Sequence, residues 1–223
     1  MSDVESPAAA LSAEMDLLWG SDDHGRPSGP PLAAVGVASR AEKLPAGFGL
    51  IMDVLGRSRP VMITSCLSYL IRPGTTRPAP PGIALHTSAD PPTTALRALR
   101  PDPEWELGEW DDLLAGRLGP WAIAIGTDRI AALCHTPRDR LGTAEVGVWT
   151  HPEHRGHGYA EVVVGAWAAV AGRTRRLLFY SHFDDNPASA AVARKLGARP
   201  IGRIWQLRNV DSSAAALAPA RDL

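Results

Sequence analysis

Apolar and β-prone runs recur along the chain, and each predicts a short strand. We expect strands at 32–39, 60–71, 83–87, 121–125, 129–135, 144–150, 176–182 and 199–208. The three residues 126–128 separate two of these runs and predict a tight antiparallel hairpin. The pattern indicates a protein built around a β-sheet.

Helical patterns occur in four regions between these strands or before them. The first two regions precede residue 119. An Ala-rich stretch at 7–19 predicts a helix that precedes the first strand. Apolar spacing between 92 and 118 predicts two short helices, which Pro101 and Pro103 separate.

Two further helices are predicted in the C-terminal half. The first covers 159–171, and its predicted apolar face consists of Val162, Val163, Ala166, Trp167 and Val170. The second begins after Asn186, which is a favoured capping residue, with Pro187 at the first helical position. Gly197 stands where a helix commonly ends.

Composition narrows the class of protein. The chain has 223 residues, of which 45% are hydrophobic, with 23 basic and 24 acidic side chains. This content excludes wholesale disorder and argues against nucleic acid as the main partner. The longest apolar run is too short for a membrane span, and no secretory signal is visible, so we expect a cytoplasmic protein. Cys66 and Cys134 are then expected to be reduced.

The segment 146–160 joins a predicted strand to a predicted helix and reads VGVWTHPEHRGHGYA. Gly156 and Gly158 let a ligand approach the backbone closely, and the first turn of the helix presents unpaired N–H groups. Arg155 adds a positive charge. The arrangement suits a pyrophosphate, although a glycine-containing turn that binds nothing is the alternative.

Two motifs carry a resemblance to a known family. Residues 155–160 fit the R/Q-x-x-G-x-G/A signature of the GNAT superfamily of acetyl-CoA-dependent N-acyltransferases, and 186–198 resembles its N-x-x-S/A…LGF helix. The likeness covers about residues 120–208. A dinucleotide-binding loop would need a third glycine where Glu161 stands, so that interpretation fails.

The resemblance implies an α+β GNAT-type fold with a mixed, largely antiparallel sheet and an N-terminal α/β extension. We divide the chain into an N-terminal segment at 1–31, the extension at 32–104, the acetyltransferase domain at 105–210 and a frayed tail at 211–223.

The resemblance also implies acetyl-CoA as co-substrate and assigns residues to it. The strand would lie along the pantetheine arm, the glycine loop would bind the pyrophosphate, and the last helix would lie near the thiol. These residues are Val148, Trp149, Thr150, Arg155, Gly156, His157, Gly158, Tyr159, Ala160, Asn186 and Ser189. Asn186 also fits a plain helix cap, and Ser189 fits an ordinary first-turn residue.

Transfer of an acyl group to an amine needs a base that removes a proton from the amine. Glu145 is the candidate, because it interrupts an apolar strand where partial burial would make its carboxylate a better base. The alternative is a structural ion pair with an arginine. Glu109 and Asp111 are weaker candidates.

A group that protonates the departing thiolate is harder to identify. Many related enzymes use a tyrosine at the position that Ala193 occupies here. Tyr180, Ser181, His182 or water could serve instead, and Tyr180 and His182 would share a strand face that Ser181 does not. We select Glu145, Tyr180 and Ser189 as the catalytic candidates.

Two other residue patterns resemble functional sites: a repeat of three histidines and a neighbouring cysteine and histidine. His151, His154 and His157 recur every third residue, but proline and glycine interrupt any helix there, so we expect no metal site. Cys134 adjoins His135, yet neighbouring strand residues face opposite ways, and a buried structural thiol is favoured.

We therefore expect an N-acetyltransferase that moves an acetyl group from acetyl-CoA to a primary amine by direct attack in a ternary complex. The expected acceptor is a small molecule rather than a protein, and a homodimer stays open. The alternative function is a non-catalytic module that binds CoA for regulation or interaction.

Overall fold

The computed structural model describes residues 6–19, 34–39, 61–74, 76–100, 105, 107–140 and 142–209. The tail predicted at 211–223 lies outside the described residues, and so do residues 20–33.

One mixed sheet organises this part of the chain. Its strands run in the order β1-β8-β2-β7-β6-β5-β4-β3, and every neighbouring pair is antiparallel except β6 and β7. The strands are β1 Ala34–Ser39, β2 Val61–Ile71, β3 Ala84–Thr87, β4 Ala122–Ile125, β5 Ile130–Arg140, β6 Thr143–Thr150, β7 Leu177–Phe183 and β8 Arg199–Asn209. The largely antiparallel α+β fold is confirmed.

The helices agree closely with the sequence pattern. They are α1 Pro7–Trp19, α2 Thr94–Ala98, α3 Leu107–Leu114, α4 Tyr159–Ala171 and α5 Pro187–Lys195. Local signals explain this agreement at α5, where the Asn186 side chain accepts a hydrogen bond from Ser189 N at 2.9 Å and Gly197 adopts a φ of 62°.

Strand β5 is longer than its apolar run predicts. The prediction ended at His135, whereas pairing with β6 continues to Arg140 through a bulge between His135 and Arg138. The added residues are mostly polar, so apolar alternation could not mark them. Gly142 lies in the turn between β5 and β6, which keeps the two strands adjacent, so that they stay paired up to this turn.

Helices cover both faces of the sheet. On one face, α4 and α5 pack over Ala144, Val146 and Leu178. Burial along α4 extends over 161–168, beyond the single apolar face predicted, because the helix lies between the sheet and α5. On the other face, α1 packs on Leu70 and Phe179, while α2 and α3 cover β4 and β5.

Strands from 32–104 lie in the same sheet as those from 105–210. Strand β2 is inserted between β7 and β8, β1 extends the β8 edge, and β3 forms the opposite edge beside β4. Where the domain boundaries fall stays a prediction. The insertion of β2 matters for the site, because β2 borders the strand that carries Tyr180, Ser181 and His182.

Candidate functional site

The two parallel strands part at the centre of the sheet. Strands β6 and β7 pair from Thr143 and Leu177 to Glu145 and Phe179, and the pairing ends there although both strands continue. Beyond that point β6 pairs only with β5, so its backbone groups on the β7 side face a gap.

The predicted strand residues line this gap. Val148 packs on the side of the sheet covered by α4, and Trp149 packs on the other side with the cluster around α3. Thr150 ends the strand, and its carbonyl oxygen accepts a hydrogen bond from Arg155 Nε at 3.4 Å. The strand and the following loop are thereby joined at the open end of the gap.

A compact loop connects β6 to α4. His151 caps a short 3-10 turn, Pro152–His154, with a ring nitrogen that accepts from Glu153 N at 3.3 Å. Gly156 and Gly158 then adopt φ values of 78° and 82°, in the left-handed region that favours glycine. A Cβ added at Gly156 would meet nothing within 4 Å, so the loop is open on that side.

The N-terminus of α4 faces this opening. Gly158 is its N-cap residue and has no side chain to cap the first turn. The positive end of the helix dipole and the first-turn amides are therefore available to an anion. Arg155, Gly156 and His157 are exposed beside it.

His157 and Tyr159 form the rim of the loop. Their rings stack at 5.8 Å, and His157 Nδ1 lies 2.9 Å from the Arg155 carbonyl oxygen. We assign the proton to Nδ1, because a carbonyl oxygen can only accept. The contact orients the ring, and Ala160 follows as the second residue of α4.

A buried carboxylate at the start of α4 forms an ion pair with a partly exposed lysine. Glu161 in the first turn of α4 is 2% exposed, and its carboxylate lies 2.7 Å from Lys195 Nζ on α5. Lys195 offsets a negative charge that would otherwise oppose an anion at the loop. The sequence analysis missed this pair, although a lone acidic residue in an apolar helix could have indicated it.

Tyr180, Asn186 and Ser189 come together at the start of α5. The Tyr180 hydroxyl donates to the Ser189 carbonyl oxygen at 3.3 Å, while Asn186 caps the same turn through Ser189 N. Tyr180 and Ala193 belong to one buried cluster. The phenol ring thus reaches the face of α5 on which Ala193 lies, one turn beyond Ser189.

Glu145 is the last residue of β6 that pairs with β7. Its side chain lies on the face of the sheet opposite α4. It is 2% exposed, and its Oε2 lies 2.6 Å from Arg138 Nη1. The Ser181 hydroxyl donates to Oε1. The ion pair that the sequence left open is therefore present, and the role of Glu145 as base stays a prediction.

The three acid candidates on β7 face as predicted. Ser181 reaches Glu145, whereas Tyr180 and His182 lie on the opposite face. His182 Nε2 lies 3.2 Å from the Tyr69 hydroxyl, and its Nδ1 lies 2.8 Å from the Phe183 carbonyl oxygen. Nδ1 then carries the proton, and Nε2 accepts from Tyr69.

Two buried titratable groups, Glu14 and His135, have shifted pKa values; the sequence analysis considered His135 only beside Cys134 and did not single out Glu14. Glu14 on α1 is fully buried, and the Ser68 hydroxyl donates to its Oε2. Burial, followed by the charge of Glu145, raises the pKa of Glu14 well above its usual value. Burial also lowers the pKa of His135 to about 4, so this imidazole is neutral at physiological pH.

The remaining candidates lie apart from this centre. Glu109 and Asp111 are exposed on α3. The Cys134 thiol donates to the Val163 carbonyl oxygen at 3.0 Å, and burial raises its pKa well above the usual value. Both Cys66 and Cys134 are free thiols.

Neither a metal cluster nor a membrane span is found in the described ranges. No group of three His, Cys, Asp or Glu side chains there is placed to hold a metal ion. None of the helices in that part of the chain is long and apolar enough to cross a membrane.

Comparison with protein families gives one match. The model of the GNAT acetyltransferase domain matches residues 85–199, just over half of the chain. The match includes the glycine loop and the whole of α5 with its cap. No curated protein sequence matches the chain.

Solved structures share the fold at low identity. A tandem GNAT protein from the clavulanic acid biosynthesis pathway has a TM-score of 0.56 at 19% identity, over 81% of this chain and 64% of that one. A GCN5-related N-acetyltransferase from Kribbella flavida has a TM-score of 0.52 at 16% identity, over 83% and 71%. A Drosophila protein has a TM-score of 0.53 at 13% identity, and this chain spans only 60% of its length. These likenesses concern the fold alone.

Proposed function

Since the chain belongs to the GNAT acetyltransferase family, we propose that it transfers an acetyl group from acetyl-CoA to a primary amine by direct attack in a ternary complex. The open glycine loop before an uncapped helix carries this proposal. Both glycines of the loop adopt left-handed φ values, and a Cβ at Gly156 would meet nothing within 4 Å, beyond the point at which β6 and β7 stop pairing.

In this proposal, the backbone amides from Arg155 to Ala160 bind the diphosphate of CoA. The first-turn amides of α4 supply donors, and the helix dipole favours the negative charge. Arg155 adds an exposed positive charge at the rim, and its Nε donates to the Thr150 carbonyl oxygen at 3.4 Å. Lys195 keeps Glu161 from opposing the anion.

The pantetheine arm is assigned to the gap beside β6. Backbone groups of Val148 to Thr150 that no longer pair with β7 can bond to the amides of the arm. Asn186 and Ser189 stand across the gap at the start of α5, where we assign the thiol end.

Glu145 is assigned the proton of the acceptor ammonium group. The amine nitrogen, once neutral, attacks the thioester carbonyl carbon; a C–N bond forms, the C–S bond breaks with its electron pair on sulfur, and the nitrogen releases its second proton to water to give the neutral amide. Arg138 and Ser181 hold the Glu145 carboxylate in place for this transfer. Tyr180 is our candidate donor to the thiolate, because its hydroxyl reaches α5 beside Ser189.

Calorimetry with CoA and a thiol-release assay test the proposal together. We expect CoA to bind, and acetyl-CoA to release free thiol faster in the presence of at least one member of a panel of primary amines. If CoA does not bind, the assignment of the loop is wrong. If CoA binds but no amine accelerates thiol release, the transferase assignment fails.

A CoA-binding module without catalysis is the second candidate. The observations in its favour are the ion pair that engages Glu145 and the alanine at position 193. Replacement of Glu145 by Gln separates the two functions, because a binding module has no turnover to lose. A small-molecule acceptor, a cytoplasmic location and a homodimer stay predictions.

A further inference from the structure

Glu14 is a buried carboxyl group with no role in the mechanism above. It lies on the sheet-facing side of α1 between the buried residues Leu11 and Leu17. The Ser68 hydroxyl donates to Oε2, whereas Oε1 is buried and has no hydrogen-bond partner among the described residues. An unpaired oxygen in such a place costs free energy, so it calls for an explanation.

The register of the sheet brings Glu14 next to Glu145. Ser68 on β2 stands directly opposite Ser181 on β7, and residues so paired point to the same face with Cβ atoms about 5 Å apart. Ser68 donates to Glu14, and Ser181 donates to Glu145. Two carboxyl groups from distant parts of the chain are therefore held by neighbouring serines.

We propose that Glu14 is a positioning residue for Glu145, such that the two buried carboxyl groups form one proton-holding pair in which Glu14 is neutral while Glu145 is ionised. The inference rests on the proposed function, since it concerns the group that accepts the proton of the acceptor ammonium. Helix α1 thereby affects the proposed base, although α1 is distant in sequence from the glycine loop and α5.

The charges around Glu14 favour this division. Arg138 on β5 is already paired with Glu145, so a second carboxylate would share one guanidinium. The thiol of Cys66 on β2 is neutral, because burial and then the two glutamates raise its pKa to about 12. Two adjacent buried carboxylates cannot both ionise without a large cost.

Among the described side chains, Arg138 is the cation that acts on the pKa of Glu14. Strand β1 carries no titratable side chain. On β8, Arg203 forms an ion pair with Asp184, and Arg199 stands opposite Leu70. The pKa of Glu14 is raised mainly by burial and next by Glu145, while Ser68 and Arg138 lower it, in agreement with a neutral acid beside a carboxylate.

Ionisation of Glu14 then changes the neighbouring base. While Glu14 is protonated, Arg138 and Ser181 are the groups that bind the Glu145 carboxylate. Once Glu14 loses its proton, like-charge repulsion makes Glu145 bind a proton more strongly. The proposal adds no covalent step: the proton still passes from the acceptor ammonium nitrogen to Glu145, and the bonds that form and break are those of the acyl transfer described above.

The pH profile of kcat/KM in Glu14→Gln tests the inference, with the amine that releases most thiol in the panel. Glutamine keeps the size of the side chain and an oxygen that accepts from Ser68, but it does not titrate. We expect the wild type to rise through two inflections and the variant through one, with the variant about three- to tenfold slower above the second. The KM for acetyl-CoA should not change. Profiles of identical shape would overturn the inference.

A measurement independent of activity separates this inference from the proposed function. Carbon NMR of labelled glutamate side chains should show Glu14 titrating above the usual carboxyl range, and at lower pH in Glu145→Gln. Glu161→Gln is the matched control, since it removes a buried carboxylate on the opposite face and should leave the titration of Glu14 unchanged. An unshifted Glu14 in Glu145→Gln refutes the pair. A coupled pair without amine-dependent thiol release refutes the transferase alone.

Should Glu14→Gln fail to fold, Ser68→Ala replaces it. This variant removes the hydrogen bond that lowers the pKa of Glu14, so the second inflection should move to higher pH. An inflection that stays in place would count against the inference.

Discussion

The two faces of the sheet are built in different ways. On the face covered by α4 and α5, the loop, the helix start and the Asn186 cap come from one stretch of sequence, 144–198. On the face covered by α1, Glu145 binds Arg138 and Ser181, while Ser68 binds Glu14. These five residues come from four strands and one helix.

Binding of the co-substrate therefore depends on local sequence, whereas the chemistry at the acceptor depends on tertiary contacts. Backbone amides and glycines can bind a diphosphate wherever the loop geometry is kept. A proton acceptor depends on the burial and charge around it, and these depend on side chains that only the folded chain brings together. Variants on the two faces should therefore fail in different ways.

The largest effect is expected for Glu145→Gln. Loss of the base should lower kcat about 100-fold or more, while calorimetry finds acetyl-CoA affinity little changed. Glu109→Gln is the matched control, because it makes the same change at an exposed position on α3. Equal losses in both variants, or a parallel loss of CoA binding, would remove the distinction between the faces.

Gly156→Ala should produce the opposite pattern. A Cβ on the open side of the loop, together with the cost of a left-handed φ, is expected to weaken CoA binding about tenfold. Gly116→Ala is the control: its φ is 74° and its Cβ also meets nothing within 4 Å, but it lies far from the loop in the turn after α3. Calorimetry should find CoA affinity reduced only in the first variant, and equal losses in both would contradict the assignment of the loop.

Stability should depend on pH through Glu14. Because folding raises the pKa of Glu14, its stabilising contribution is complete below the unfolded pKa of about 4.3 and is lost as pH rises through the folded value. The wild type should lose up to about 1.4 kcal/mol of unfolding free energy for each pH unit in that window. Urea titrations of Glu14→Gln should lack this loss, whereas Ser12→Ala, at an exposed position of α1, should keep it. A variant that follows the wild type would show that Glu14 ionises freely.

The smallest effect is expected at the rim. Arg155→Gln should weaken CoA binding about threefold at low salt, and the difference should shrink as salt is added, because the guanidinium is exposed. Calorimetry at two salt concentrations measures it. A larger loss that is insensitive to salt would mean that Arg155 binds CoA in a buried position.

Several elements were predictable because their signals are local. Helices α1 and α4 begin and end where the sequence pattern placed them, and Asn186 caps α5 as its residue type suggests. The opposite facing of Tyr180 and Ser181 follows from the alternation of a strand. The end of β5 was not predictable, since pairing with β6 extends through polar residues.

The residues of the site show the same contrast between local signals and long-range contacts. For Glu145, the sequence offered a base and an ion pair without a choice, because the partner Arg138 is set by the register of a bulged hairpin. Glu14 looked like one polar residue in an Ala-rich helix. Its hydrogen-bond donor is Ser68, 54 residues further along the chain.

By itself, the sequence determined the glycine loop, the helix that follows it and the family they indicate, because backbone conformation and capping depend on neighbouring residues. Only the tertiary structure decided that β2 enters the sheet beside β7 and that two glutamates share one buried pocket. Such contacts join residues that are far apart in the chain, and their free energy arises from burial and charge that no local pattern records.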